Sequence, residues 1–131
     1  MAEVLIPADD EVAVVRELSA RMTAQIGTRV PSRRPAEFGR VVSAGGTARD
    51  LVTDSFTLAL EGFATTETRA RRLCAEMIAH LQAAGRAGSV GGVTCYGVRA
   101  PSLPANLPMP SVPDRFRFTA TVSVDLRRVG E

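Results

Sequence analysis

Apolar positions recur along this chain with two different periods, and the switches between them divide it into six elements. After Pro7, the carboxylates Asp9 and Asp10 stand where a helix dipole favours negative charge. Val12, Val15, Leu18, Met22 and Ile26 then follow at helical spacing, with Arg16, Glu17, Arg21 and Gln25 off the stripe. The pattern predicts a helix over residues 9–26, closed by Gly27. Pro31 and Pro35, set around Ser32-Arg33-Arg34, mark a loop. Phe38–Ala44 reads as a strand stopped by Gly45-Gly46, and a polar connection, Thr47–Asp54, follows. Phe56, Leu58 and Leu60 alternate with Thr57, Ala59 and Glu61, a second strand with one buried face that pairs with the first as an antiparallel hairpin.

The second helix opens at Thr65 or Thr66 with Glu67 in its first turn, and Gly85 ends it. Ala70, Leu73, Met77, Leu81 and Ala84 make its stripe, widened by Cys74 and Ile78. Gly88, Gly91 and Gly92 lead to a short third strand at Val93–Val98. Residues 101–113 hold five of the eight prolines and form a loop or an extended arm. From Phe116 to Arg127 the alternation is strict: Phe116, Phe118, Ala120, Val122, Val124 and Leu126 on one face, polar residues on the other.

The order α-β-β-α-β-β implies one α+β domain over residues 1–131. Its expected form is two layers, a four-stranded, mostly antiparallel sheet with two helices packed on one face. Leu18, Phe56, Leu58, Leu73, Phe116 and Phe118 are the expected core.

Composition narrows the function. At 131 residues and 45% hydrophobic, the chain can fill a core, and a mean hydropathy of +0.06 leaves room for an apolar surface covered by a partner. Sixteen basic against 14 acidic residues give a net charge of +2, without the basic excess of a sequence-independent nucleic-acid binder. Cys74 and Cys95 form no CxxC pair and are expected as reduced, packed thiols. Val4-Leu5-Ile6 is shorter than a signal core and no apolar run approaches ~20 residues, so the expectation is a soluble chain with no membrane partner.

Candidate chemistry is sparse. His80 is the single histidine and sits one turn after Glu76 on the second helix, whereas a zinc site needs three or four ligands and a Ser-His-Asp triad needs a placed carboxylate. The glycines of Gly85–Gly92 follow a helix and precede a strand, the reverse of a phosphate-binding loop, and the chain has no lysine for a Walker motif. No catalytic, cofactor-binding or metal-binding set emerges. Asp50 and Asp54, four apart beside Arg49, read as a solvated or partner-facing loop. Arg115, Arg117 and Arg127 are expected to share the polar face of the last strand. The proline segment reads as a rigid arm that packs locally or reaches a neighbour.

Two stretches bring a family into view. RVVSAGGTARDLVTDSFTLALEGFA (residues 40–64) and ANLPMPSVPDRFRFTATVSVDLRR (residues 105–128) resemble the tail terminator proteins of long-tailed actinobacteriophages. With the first helix in front, the likeness covers nearly the whole chain. It implies a non-enzymatic virion protein, assembled in the host cytoplasm, that forms a hexameric ring on the head-proximal end of the tail. Such a ring stops growth of the tube built by the major tail tube protein and presents a joining surface to the neck or head-completion protein. Genomic DNA passes through it without specific binding. On this reading Arg49, Asp50, Leu51 and Asp54 in the loop, and Pro104, Asn106, Leu107 and Pro108 in the arm, are the candidate subunit and tube contacts. Another head-tail connector is the nearest alternative. Behind it stand an enzyme with His80 or the Asp50/Asp54 pair in a shared cleft, and a nucleic-acid-binding module.

Overall fold

The structure, a computed structural model, describes residues 3–131. Its elements in chain order are β1 (Leu5–Ile6), α1 (Asp10–Arg21), β2 (Gln25–Gly27), β3 (Glu37–Ala48) and β4 (Thr53–Ala64). Then follow α2 (Glu67–Ala87), β5 (Ser89–Val90), β6 (Val93–Arg99), β7 (Ala105–Asn106), β8 (Phe116–Arg127) and β9 (Val129–Gly130).

The expected four-stranded sheet is thus replaced by a curled seven-stranded one, and about 42% of the described residues lie in strands. Its path is β2-β3-β4-β8-β6-β5, with β7 also pairing β8, while β1 and β9 make a separate two-stranded sheet. The sheet is mixed, because β2 runs parallel to β3 and the other pairs are antiparallel. The additional strands of this sheet, β2, β5 and β7, are only two or three residues long. A segment that short cannot display a period of two, so only tertiary pairing defines it.

The inner face of the sheet meets both helices in one core. Val41 of β3, Leu58 and Leu60 of β4, and Phe118, Ala120, Val122, Val124 and Leu126 of β8 are buried in one cluster with Cys74, Met77 and Leu81 of α2. Thr66 caps α2 by accepting the Arg69 N–H at 3.3 Å, and Gly88, with φ 90°, closes it in place of the expected Gly85, which stays helical. The helix crosses β4 at Gly62, where a Cβ would lie 2.8 Å from the Ala70 carbonyl oxygen and 2.8 Å from the Cys74 nitrogen. Only the missing side chain lets the two backbones approach this closely.

The first helix is shorter than expected and rotated. It ends at Arg21, where Met22 turns extended at φ −117° and ψ 148°, and Ile26 reaches the core from β2 instead. An apolar residue at the end of a helical stripe serves as well as an inward strand residue, so the pattern alone did not separate the two. The buried face of α1 is Asp10, Ala13, Val14, Glu17 and Leu18, whereas Val12 is 46% exposed. Asp10 and Glu17 stand on that face, with Glu11 at its border, because each carboxylate has a donor waiting. Asp10 accepts the Ser43 hydroxyl at 2.6 Å, Glu11 the Ser43 N–H at 2.7 Å, and Glu17 the Gly91 N–H at 3.0 Å.

The Gly45-Gly46 pair does not stop β3, which continues to Ala48 through a register shift between Ser43 and Gly46. Gly46 has φ 158°, and a Cβ there would lie 2.1 Å from the Ser55 carbonyl oxygen, so the bulge requires glycine. The outer face of the sheet holds a second, small core. Phe38 and Phe63 stack with ring centroids 4.5 Å apart and are covered by Val112, Val30 and Met109 from the two proline-containing loops. Of the expected core, Leu18, Leu58, Leu73 and Phe118 are fully buried and Phe56 is half-buried. Phe116 opens β8 at the end of the sheet and remains 43% exposed.

Candidate functional site

Of the candidate loop, only residues 49–52 lie outside the strands. Arg49 and Asp50 donate their N–H groups to the Thr53 carbonyl at 2.9 and 3.1 Å, and Asp50 accepts the Val52 N–H at 2.9 Å. These bonds make a tight tip that holds Leu51 out in solvent at 88% exposure. The Val52 hydrogen bond is the main cause of an Asp50 pKa below the usual carboxylate value. Asp54 is not part of the tip. It is the second residue of β4, buried, and takes a two-pronged contact from Arg128, with Nε–Oδ2 at 3.0 Å and Nη2–Oδ1 at 2.8 Å.

The arm lies along the edge of β8. The Ser102 hydroxyl accepts the Thr121 N–H at 2.8 Å, β7 pairs Ala105 and Asn106 with Thr119 and Phe118, and the Leu107 N–H donates to the Arg117 carbonyl at 3.2 Å. Asn106 also donates to Glu67 at the start of α2, at 3.2 Å. Pro104 is half-buried, whereas Asn106, Leu107 and Pro108 are exposed, and Leu103 reaches 71% exposure. The tip adjoins the Arg127 end of β8 and Leu107 sits beside Arg117. Ten residues of strand, roughly 33 Å at about 3.3 Å per residue, separate the two groups.

The three arginines assigned to one polar face have three different roles. Arg115 precedes β8 and donates to the carbonyls of Arg34 at 3.0 Å and Pro35 at 3.1 Å, bracing the loop before β3. Arg117 joins Arg40 in bonding the buried carboxylate of Glu61. Arg127 is exposed and donates to the Tyr96 hydroxyl at 3.2 Å.

The same face carries a second carboxylate between two guanidiniums. Asp125 is buried and accepts from Ser55 at 2.6 Å and from Arg99 at 2.9 Å, with Arg49 at 3.5 Å. Burial works to raise its pKa, but the Arg99 and Ser55 hydrogen bonds and the charges of Arg99 and Arg49 outweigh burial and hold it low. Glu61 and Asp125 thus stand at opposite ends of a face lined between them by Thr57, Thr119, Thr121 and Ser123. Neither cluster is readable in sequence, because each draws its members from three or more separate segments that only strand register and loop packing bring together.

Elsewhere the chemistry is quiet. His80 is half-buried in a charged crevice with Arg21, Glu37, Arg69 and Glu76, and Arg69 and Glu37 form a two-pronged pair at 2.8 and 3.0 Å. The Asp50/Asp54 pair is divided between the exposed tip and the buried β4 site, and neither residue lines the His80 crevice. Cys74 is a buried thiol whose pKa burial pushes up to about 12, and burial also raises that of Cys95. Such thiols stay protonated near neutral pH. Among the described residues, no three His, Cys, Asp or Glu side chains group as a metal site would, and no helix is long and apolar enough to cross a membrane.

No protein-family model matches the chain, and no curated protein matches it.

Proposed function

We propose that this chain is a structural subunit of a ring that caps the head-proximal end of a phage tail tube, ends tube growth and joins the neck. The observation that supports the reading best is the placement of the exposed aliphatic side chains. Leu51 projects from a rigid hairpin tip at one end of the sheet, and Leu103 and Leu107 project from the arm toward the other. Single exposed apolar side chains are ordinary on a protein surface, and it is their placement at the tip and on the arm that suits contact with a partner. A ring subunit needs two unlike patches for its neighbours and further surface for the tube and neck, because a closed ring is built from heterologous contacts. Two apolar projections well separated on one rigid sheet suit that requirement.

Native mass spectrometry tests the reading, first on the purified protein and then on its mixture with terminator-deficient tails. A hexamer, or a monomer that joins tube ends and blocks their extension, is the expected result. A monomer indifferent to tubes overturns it, and binding to filled heads in place of tails moves the assignment to a head-completion or neck protein.

A further inference from the structure

Both edges of the seven-stranded sheet are only half covered. β2 shields β3 at Phe38–Arg40, the Glu11 carboxylate takes the Ser43 N–H, and the Gly45 N–H donates to the Ser43 hydroxyl at 3.3 Å, but among the described residues no strand pairs with the outer edge of Ala44–Ala48. All five residues are exposed. On the opposite edge, β5 shields β6 at Val93–Thr94, the Gly88 carbonyl takes the Cys95 N–H, and Gly85 of α2 packs on Val98, so Tyr96–Arg99 has no strand partner but is half covered at Gly97 and Val98. Soluble proteins blunt such edges with charges or prolines. Here β7 is flanked by Pro104 and Pro108, whereas Ala44-Gly45-Gly46-Thr47-Ala48 has neither charge nor proline and is blunted only by the bulge between Ser43 and Gly46.

The two open edges share the same register rows. Strand register places Ala48, Asp54, Leu126 and Cys95 in one row across the sheet. Thr47, Ser55, Asp125 and Gly97 make the next row, and Gly46, Phe56, Val124 and Val98 the third. Three successive antiparallel pairings also make β3 and β6 run in opposite directions. Copies related by rotation about an axis near the strand direction set β6 of a second copy antiparallel to β3 of the first, and the shared rows let the two edges meet without a slip. A vertical offset between the edges would instead generate an open helix.

We propose that the open edge Ala44–Ala48 of one copy pairs antiparallel with Tyr96–Arg99 of the next, joining the sheets head to tail. The small side chains of the β3 segment let a neighbouring backbone approach without obstruction. A shallow cleft of about 290 Å³ beside it, lined by Pro7, Ala48 and Phe56 among others, gives the incoming strand room on that side. The edge pairing rests on the sheet geometry, and closure at six copies rests on the ring reading above.

The test is a cysteine pair, Thr47→Cys with Gly97→Cys, in one row of the joined sheet. Facing residues of an antiparallel pair have Cα atoms about 4.5–5.5 Å apart, within disulfide range. Position 47 is exposed and a Cβ at position 97 meets no atom within 4 Å, so both substitutions leave the fold intact. Under mild oxidation the double variant is expected to give a ladder of covalent multimers that reductant collapses. Wild type, whose two cysteines are buried, stays monomeric on the same gel. Covalent dimers from Thr47→Cys alone mean two-fold β3–β3 pairing and overturn the head-to-tail contact. Oligomers in native mass spectrometry without the ladder overturn the edge pairing and leave the ring reading standing. A protein that stays monomeric by both measures overturns self-pairing through these edges, while the tail-binding experiment decides the ring reading separately.

Discussion

The two helices lie on the same face of one sheet and are held there by different physics. α2 docks through an apolar stripe, with Leu73, Cys74, Met77 and Leu81 fully buried and the helix backbone pressed onto Gly62. α1 docks through carboxylates, with Asp10 and Glu11 on Ser43 and Glu17 on Gly91, around a narrow apolar centre of Ala13, Val14 and Leu18. Burying an apolar stripe is favourable wherever its partner surface is also apolar. A buried carboxylate is tolerated only where donors are fixed beforehand, so α1 is placed by a few directional bonds. A helix of the first kind can be located from its own sequence. One of the second kind cannot be oriented until its donors are known.

The largest expected effect comes from breaking the α2 contact. In Gly62→Val the new side chain meets backbone atoms of Ala70 and Cys74, which cannot give way as a flexible side chain does. The helix must lift off β4, at a cost of about 3 kcal/mol or more. Urea unfolding of the variant should show a midpoint far below wild type or no cooperative transition at all. An unchanged midpoint means that α2 does not cross β4 at this distance.

Breaking the α1 contact should cost less and should depend on pH. Glu17→Leu makes the helix more apolar, yet it leaves the buried Gly91 N–H without its acceptor. The expected loss is about 1–3 kcal/mol. A stabilised variant would mean that α1 is docked by its apolar stripe after all. Burial tends to raise the Glu17 pKa, but the hydrogen bonds from Arg21 and Gly91 and the charges of Arg21 and His80 bring it below the ordinary value. A carboxylate with a depressed folded pKa contributes stability above its unfolded pKa of about 4.3, and this contribution is lost as pH falls through the folded value. The stability gap between wild type and Glu17→Gln, read from urea curves, should therefore be present at neutral pH and shrink below about pH 4. A gap that persists at acid pH would show that the Glu17 charge is not what holds α1.

The same division decides what was legible along the chain. β8 and α2 repeat one period over at least twelve residues and β4 over six, and each stands where its pattern put it, although β4 extends to Thr53–Ala64 and α2 runs two residues past Gly85. Gly45-Gly46 carried two meanings, a strand end or a bulge within a strand, and only the register with β4 selects the bulge. Phe38 and Phe63 form their own outer core because loops from distant parts of the chain fold over them, and no local pattern announces that. Arg49, Asp50 and Leu51 stay together as sequence neighbours, whereas Asp54, one residue into β4, is drawn into the Arg128 pair. The Glu61 and Asp125 clusters assemble from separate segments, so no spacing encodes them.

The smallest expected effect discriminates most sharply between the two ways of orienting α1. Val12 belongs to the stripe at positions 12, 15, 18, 22 and 26, and on the stripe reading it is a core residue. In the structure it is half exposed beside a shallow apolar hollow shared with Val15, Gly27 and Thr28. Val12→Lys then places an ammonium in water, on a residue with a helix propensity slightly better than valine's, and any lost apolar contact is small. The net change in unfolding free energy should fall within about 0.5 kcal/mol of zero. Were Val12 packed in the core, burying an unpaired ammonium would instead destabilise the domain as severely as Gly62→Val. A near-neutral Val12→Lys beside a destabilised Glu17→Leu would fix the rotation of α1 from solution data alone, because the stripe face centred on Val15 points away from Glu17, two residues or roughly 200° on. A severe loss in Val12→Lys would turn the helix by about one residue's rotation, roughly 100°, and take the carboxylate contacts with it.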